Sequence, residues 1–221
     1  MKRILFLLLL PLLLLQAQPP KALPDMVDIH QMNPSIILDI RYATPNNFLH
    51  RAVYKQARCF LVKEAAERLN AVQKELQSIG LGLKVFDGYR PLSVQKEMWA
   101  IMPDPGYVAN PKHGSRHNRG SAVDLTLVDS TGKELEMPTP FDSFSQRAHQ
   151  NYMKLPAKVR QNRWILRTVM EKHGFVPIRT EWWHYNLKNW RKYPIMDISF
   201  EELDRLLKIK KTSNKKSVKF H

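Results

Sequence analysis

The stretch Ser115-Arg116-His117-Asn118-Arg119-Gly120-Ser121-Ala122-Val123-Asp124-Leu125-Thr126-Leu127 runs from a loop into a strand. Its final residues alternate, with Val123, Leu125 and Leu127 on one face and Asp124 and Thr126 on the other. The separation of seven between His117 and Asp124 is neither a helical turn nor one strand face. Both side chains can reach one point only if the chain turns between them, and Gly120 permits that turn. Asp124 then projects from a strand whose opposite face is core, which is a rigid mounting for a ligand.

A second segment, Glu181-Trp182-Trp183-His184, adds an imidazole and a spare carboxylate. Three protein ligands, an open position for water and a nearby base are the inventory of a hydrolytic zinc site. Glu181 and His184 would lie on opposite faces of a regular strand, so a turn or bulge must bring them together. Trp182 and Trp183 are bulky enough to shield such a site. No HExxH helix occurs in the sequence. Taken singly, His-x6-Asp and Glu-x-x-His are equally compatible with surface polarity or a satisfied core histidine, and a Trp pair with core packing. A third segment, Phe86-Asp87-Gly88-Tyr89-Arg90-Pro91, places an arginine at the end of a strand. Its fork of donors could steady the oxyanion of a tetrahedral intermediate. Read by itself, the segment is more simply an Arg90–Asp87 ion pair.

Outward from these segments, Ile36–Tyr42 and Leu83–Asp87 read as strands. Leu61, Ala65, Leu69, Val72, Leu76 and Ile79 recur at helical spacing, with Gly80 placed as a C-terminal cap. Pro91 opens a short helix reaching about Met102, and residues 103–121 are loop. A turn is expected at Ser130-Thr131-Gly132, a helix from Pro156 to His173 stopped by Gly174, and a strand around Trp182 to Asn186. A last helix begins at Ser199, where Ser-x-x-Glu has the capping-box form. Residues 19–34 read as an extended lead-in. Without regular βαβ alternation, these elements predict an α+β fold with a small, mainly antiparallel sheet flanked by helices.

Length suits one domain with a full core. Lys2 and Arg3 precede an apolar run from Ile4 to Leu15, too short for a comfortable bilayer span, so residues 1–18 are expected to be a secretory signal. Leu15 fits the cleavage pattern poorly, which leaves an uncleaved anchor as the other reading. Export to the periplasm or another extracytoplasmic space follows as an expectation, with the mature domain spanning residues 19–207. Cys59 is the sole cysteine, so internal disulfides and a thiolate metal cage are both ruled out, and a buried, inert thiol is expected. The net charge of +15 suggests nucleic acid until it is located. Two bases lie in residues 1–17 and six lysines in residues 208–221, with no acids in either, which leaves +7 for the rest. The lysine-rich tail, 208–221, reads as disordered, able at most to touch anionic envelope components weakly. No nucleic-acid partner is expected.

Together these segments resemble the D-alanyl-D-alanine dipeptidases of the vancomycin-resistance type. The matching stretches are Asp39-Ile40-Arg41-Tyr42-Ala43-Thr44 with Asn47-Phe48, Asp87-Gly88-Tyr89-Arg90-Pro91, Ser115-x-His117-x-x-Gly120-x-Ala122-x-Asp124, Phe141-Asp142-x-Phe144 and Glu181-Trp182-Trp183-His184-Tyr185. They span about residues 25–195. The histidine motif alone would indicate only the wider D,D-peptidase and Hedgehog-like superfamily, whereas Glu-Trp-Trp-His-Tyr with Asp-Gly-Tyr-Arg-Pro narrows the likeness to the dipeptidases. The resemblance implies a Hedgehog/D,D-peptidase-like fold and one Zn2+ held by His117, Asp124 and His184. It implies Glu181 as general base and acid, Arg90 as transition-state stabiliser and Ser115 at the substrate carboxylate. Asp142 would meet the substrate ammonium, with Tyr42, Phe141 and Phe144 shaping the pocket. The implied substrate is the dipeptide D-Ala-D-Ala. A zinc D,D- or L,D-carboxypeptidase acting on peptidoglycan stems and a non-catalytic wall-binding module are the competing readings. Trp182-Trp183 argues against the first, and Glu181 with Arg90 against the second.

Overall fold

The computed structural model describes residues 23–208. The expected signal segment and nearly all of the lysine-rich tail therefore lie outside the described residues. The lead-in is structured rather than simply extended: β1 (Met26–Asp28) runs into the one-turn α1 (Ile29–Met32), whose N-terminus is capped by the Asp28 carboxylate. β1 pairs antiparallel with β3 (Phe60–Val62), which leads directly into α2 (Lys63–Gln77). The expected strand over 36–42 shrinks to β2 (Ile37–Leu38), followed by a 3-10 turn over Arg41–Ala43. Pro45 and the Asn47 side chain bend the following segment, where the Asn47 amide donates to the carbonyls of Arg41, Thr44 and Arg51.

β4 (Leu81–Asp87), α3 (Leu92–Ile101), β5 (Ala122–Asp129), α4 (Ala157–Lys172), β6 (Phe175–Pro177) and β7 (His184–Leu187) complete the framework. A further helix runs from 200 to 208, its first turn capped by Ser199 Oγ accepting from Glu202 N at 3.1 Å. The reciprocal half of the capping box is missing, because the Glu202 carboxylate pairs with Arg205. The main sheet has the order β2-β4-β5-β7-β6, with β2 parallel to β4 and every other pair antiparallel. The α+β expectation holds. β6 went unrecognised because its three residues end in Pro177 and include exposed Val176, too short and too mixed for a period-two signal.

α2 and α4 pack on each other and on the sheet. α2 places Ala65, Leu69, Val72 and Leu76 in the core and Gly80 follows at φ 74°, as expected, whereas Leu61 belongs to β3 and Ile79 lies exposed beyond the helix. β5 departs from simple amphipathicity. Its apolar residues are buried, but so are Asp124, which lines a pocket, and Thr126, which lies opposite Lys84 of β4. Cys59 is buried and free, and burial pushes its thiol well above the usual range, as an inert core thiol requires.

Candidate active site

Cross-strand register assembles the site. On β5 and β7, Asp124 lies directly opposite His184, and on β4 and β5, Asp87 lies opposite the same Asp124. The β4–β5 pairing reaches that match through an irregularity between Val85 and Asp87, which puts Phe86 and Asp87 against one residue of β5. Asp87, Asp124 and His184 thus form a row across three adjacent strands. His117 comes to the row from the loop, on a 3-10 turn closed by Gly120 at φ 63°. A side chain at Gly120 would also meet the Met26 thioether methyl at 2.8 Å, which adds to the preference for glycine that the positive φ sets.

The three expected ligands converge. His117 Nε2 lies 3.1 Å from His184 Nδ1 and 3.4 Å from Asp124 Oδ2, and His184 Nδ1 lies 2.9 Å from Asp124 Oδ1. A tetrahedral ion with bonds near 2.0–2.1 Å separates its ligand atoms by about 3.3 Å, so this cluster has the dimensions of a metal site. The outer nitrogens reinforce that fit. His117 Nδ1 is 2.8 Å from the Gly88 carbonyl, which can only accept, so Nδ1 carries the hydrogen and Nε2 turns a lone pair toward the cluster. His184 Nε2 donates in the same way to Asn186 Oδ1 at 2.9 Å, freeing Nδ1. Gly88 must be glycine here: a Cβ would sit 2.5 Å from Cys59 Sγ and 3.1 Å from the Phe60 carbonyl.

Burial opposes ionisation of Asp124, yet the two imidazoles beside it draw its carboxyl below the usual range. Glu181 lies outside β7, separated from His184 by a bend at Trp182 and Trp183, which resolves the face problem posed by its offset from His184. Its Oε2 lies 3.8 Å from His184 Nδ1. Burial raises the Glu181 carboxyl above its ordinary value, with the neighbouring histidine partly offsetting the effect.

Arg90 forms the ion pair expected of its segment and also faces the pocket. Its Nη2 and Nε donate to Asp87 Oδ2 at 2.6 and 3.2 Å, and its Nη1 donates to Gln95 Oε1 at 2.9 Å. The pairing therefore anchors the guanidinium, while two of its five N–H groups stay available. Asp87 is held in turn by Tyr54 Oη and the Gly88 amide, and Gln95 Nε2 donates to the Ala109 carbonyl.

Tyr42, Arg90, Ser115, His117, Asp124, Asp142, Glu181 and His184 all line one cavity of about 180 Å3. That is below the roughly 300–1,000 Å3 of drug-sized sites and suits a small ligand. Tyr42 Oη donates to Asp142 Oδ1 at 3.1 Å. Burial first, and the Asp124 charge second, push the Asp142 carboxyl up to about 8. Phe144 lines the cavity, but Phe141 does not: it packs behind the wall on Trp183, Phe86 and Tyr42. The tryptophans also divide the work expected of them. Trp183 borders the cavity, while Trp182 supports it perpendicularly at 5.4 Å and donates to Thr139.

Sequence reasoning missed Asn186, Gln95 and the rim segment 105–109. Asn186 had a readable signal, since it sits two residues beyond His184 on the same strand face. Gln95 and the rim had none, because their places depend on how the loop folds back.

A protein-family model described as D-ala-D-ala dipeptidase matches residues 23–200. The chain belongs to that family. Among curated dipeptidase relatives, the D-alanyl-D-alanine dipeptidase of Escherichia coli K12 is 38% identical over 176 residues, covering 80% of this chain and 91% of that protein. The D-alanyl-D-alanine dipeptidase of Enterococcus faecalis V583 is 35% identical over 173 residues, covering 67% and 84%. Among solved structures, the LdcB LD-carboxypeptidase aligns with a TM-score of 0.42 at 21% identity, covering 79% of this chain and 74% of that one. The D,D-dipeptidase VanXYg bound to a D-Ala-D-Ala phosphinate analogue aligns with a TM-score of 0.39 at 16% identity, covering 74% and 66%.

Proposed function

We propose that this chain hydrolyses D-Ala-D-Ala to two molecules of D-alanine, as a zinc-dependent dipeptidase. One observation carries the reading. The side chains of His117, Asp124 and His184 approach one another pairwise to 2.9–3.4 Å and share a small cavity with a raised carboxyl, Glu181, and an anchored guanidinium, Arg90. Family membership supports the substrate, and the donor set of two imidazoles and a carboxylate supports zinc. When bound by His117, Asp124 and His184, zinc would supply a Lewis acid that polarises the scissile carbonyl and acidifies water.

The side chains account for the rest. Glu181 Oε2 accepts the proton of the attacking water and later returns it to the leaving amine. The unengaged N–H groups of Arg90 face the charge that develops on the carbonyl oxygen, and because Asp87 and Gln95 already fix the guanidinium, little reorganisation is needed. Asp142 meets the substrate ammonium: a carboxyl reluctant to ionise alone gains a counter-charge when the dipeptide enters. A cavity that recognises both ends of a dipeptide measures its length, since a longer peptide would leave Asp142 without its partner.

The test is D-alanine release from D-Ala-D-Ala by the purified chain, before and after chelation, with Glu181→Ala as control. Activity should vanish with chelator, return with zinc and fall at least a hundredfold in the variant. Comparable turnover of a tripeptide ending in D-Ala-D-Ala would overturn the dipeptide assignment. Export is part of the same proposal, supported by the basic start and apolar run of residues 2–15.

A further inference from the structure

The hydrolytic roles leave one charged side chain of the cavity unused. Arg90 and Arg116 are the arginines among the described lining residues, and Arg90 is committed to Asp87 and Gln95. Arg116 is exposed and makes no ion pair with any described carboxylate. Its guanidinium lies 4.9 Å over the Trp190 ring, which Arg119 and Arg191 also approach, at 5.3 and 4.5 Å. The cluster carries unbalanced positive charge.

A zwitterionic dipeptide needs a cation for its carboxylate. Ser115, the residue implied for that end, cannot supply one. Its backbone N–H is already donated to Asn118 Oδ1 at 2.6 Å, and its Oγ accepts from His117 N at 3.2 Å, which leaves one neutral hydroxyl hydrogen. Arg116 is the adjacent residue and offers a planar fork that lies over the Trp190 indole, an arrangement that limits the rotamers lost on binding. The lining then carries both signs: Asp142 for the ammonium and Arg116 for the carboxylate.

We propose that Arg116 receives the C-terminal carboxylate of the dipeptide and is the residue of this chain that sets its requirement for a free carboxylate. The proposal rests on the dipeptidase reading above. It is tested with D-Ala-D-Ala and with its C-terminal carboxamide, which has no negative charge. Binding of the carboxamide is read as inhibition of D-Ala-D-Ala hydrolysis, so it need not be cleaved. Arg116→Ala should raise KM for D-Ala-D-Ala about tenfold to a hundredfold, as loss of a charge-assisted pair requires, with kcat within about threefold. The inhibition constant of the carboxamide should change less than about twofold. Arg116→Lys, which keeps the charge without the fork, should fall between wild type and Arg116→Ala. An unchanged KM in Arg116→Ala overturns the proposal, and so does an equal weakening for both compounds, which would mark a general disturbance of the cavity. If the wild-type chain releases no D-alanine, the dipeptidase reading itself fails. A working wild type with an indifferent Arg116→Ala defeats only the carboxylate role.

Discussion

Asp124 and Asp142 face the same cavity, yet the first sits on a strand paired on both sides and the second in a loop at φ 60°. Asp124 is driven far down by two imidazoles, while Asp142 is driven up to about 8 by burial and by Asp124 itself. The contrast extends to their surroundings. The floor of the cavity, with Asp87, Asp124 and His184, is positioned by register and backed by the Gly88 carbonyl, Asn186 and Gln95. The rim, with Phe48, Tyr107, Arg116 and Phe144, is built of loops whose aromatics touch one another, as Tyr107 and Phe144 do at 4.3 Å. Groups that must act on bonds are held by backbone geometry. Groups that choose what enters are held by side-chain packing, which is easier to alter without loss of the fold.

Three changes test that division, from the largest effect to the smallest. On the floor, Arg90→Ala should lower kcat about 10²–10³-fold with a small change in KM, measured by steady-state D-alanine release. A dominant KM effect would move Arg90 into substrate capture. On the rim, Tyr107→Ala removes one aromatic pair and should raise KM roughly twofold to tenfold while kcat stays put. A large loss of kcat would show that the rim helps place the reacting groups. Smallest is a stability effect at Asp142. Its folded value of about 8 exceeds the ordinary 3.8, so between those pH values the folded state binds a proton that the unfolded chain has released. Stability therefore falls as pH rises through that window. Asp142→Asn should melt a few degrees above wild type at pH 9 in chelator, with the gap closing by pH 4, while it impairs dipeptide binding. A gap that is constant with pH would remove the buried carboxyl as its source.

The sequence was most transparent where local pattern and tertiary constraint agree. Leu69, Val72 and Leu76 announced α2, and the alternation after Gly120 announced β5. His117, Asp124, Glu181 and His184 were legible as a set because ligand chemistry restricts residue type. What stayed hidden depends on long-range packing. Phe141 and Phe144 differ by only three positions, but one supports the wall and the other forms it, and nothing local separates them. Phe200 illustrates the same limit from the C-terminal side: its ring meets Tyr54, Phe60 and Tyr89, joining a late helix to three early segments.

The extra residue that β4 spends at Phe86–Asp87 has one more consequence. A strand assigns its side chains to two sides by odd and even count, and this irregularity changes the parity just before the motif Asp87-Gly88-Tyr89-Arg90. Asp87, the last residue of β4, owes its side of the sheet to that single miscount. Were the pairing regular along the same sequence, Phe86 would stand opposite Asp124 and the anchoring carboxylate of Asp87 would point the opposite way. Arg90, held by Asp87, is thus addressed by arithmetic along the chain as well as by the neighbours it touches.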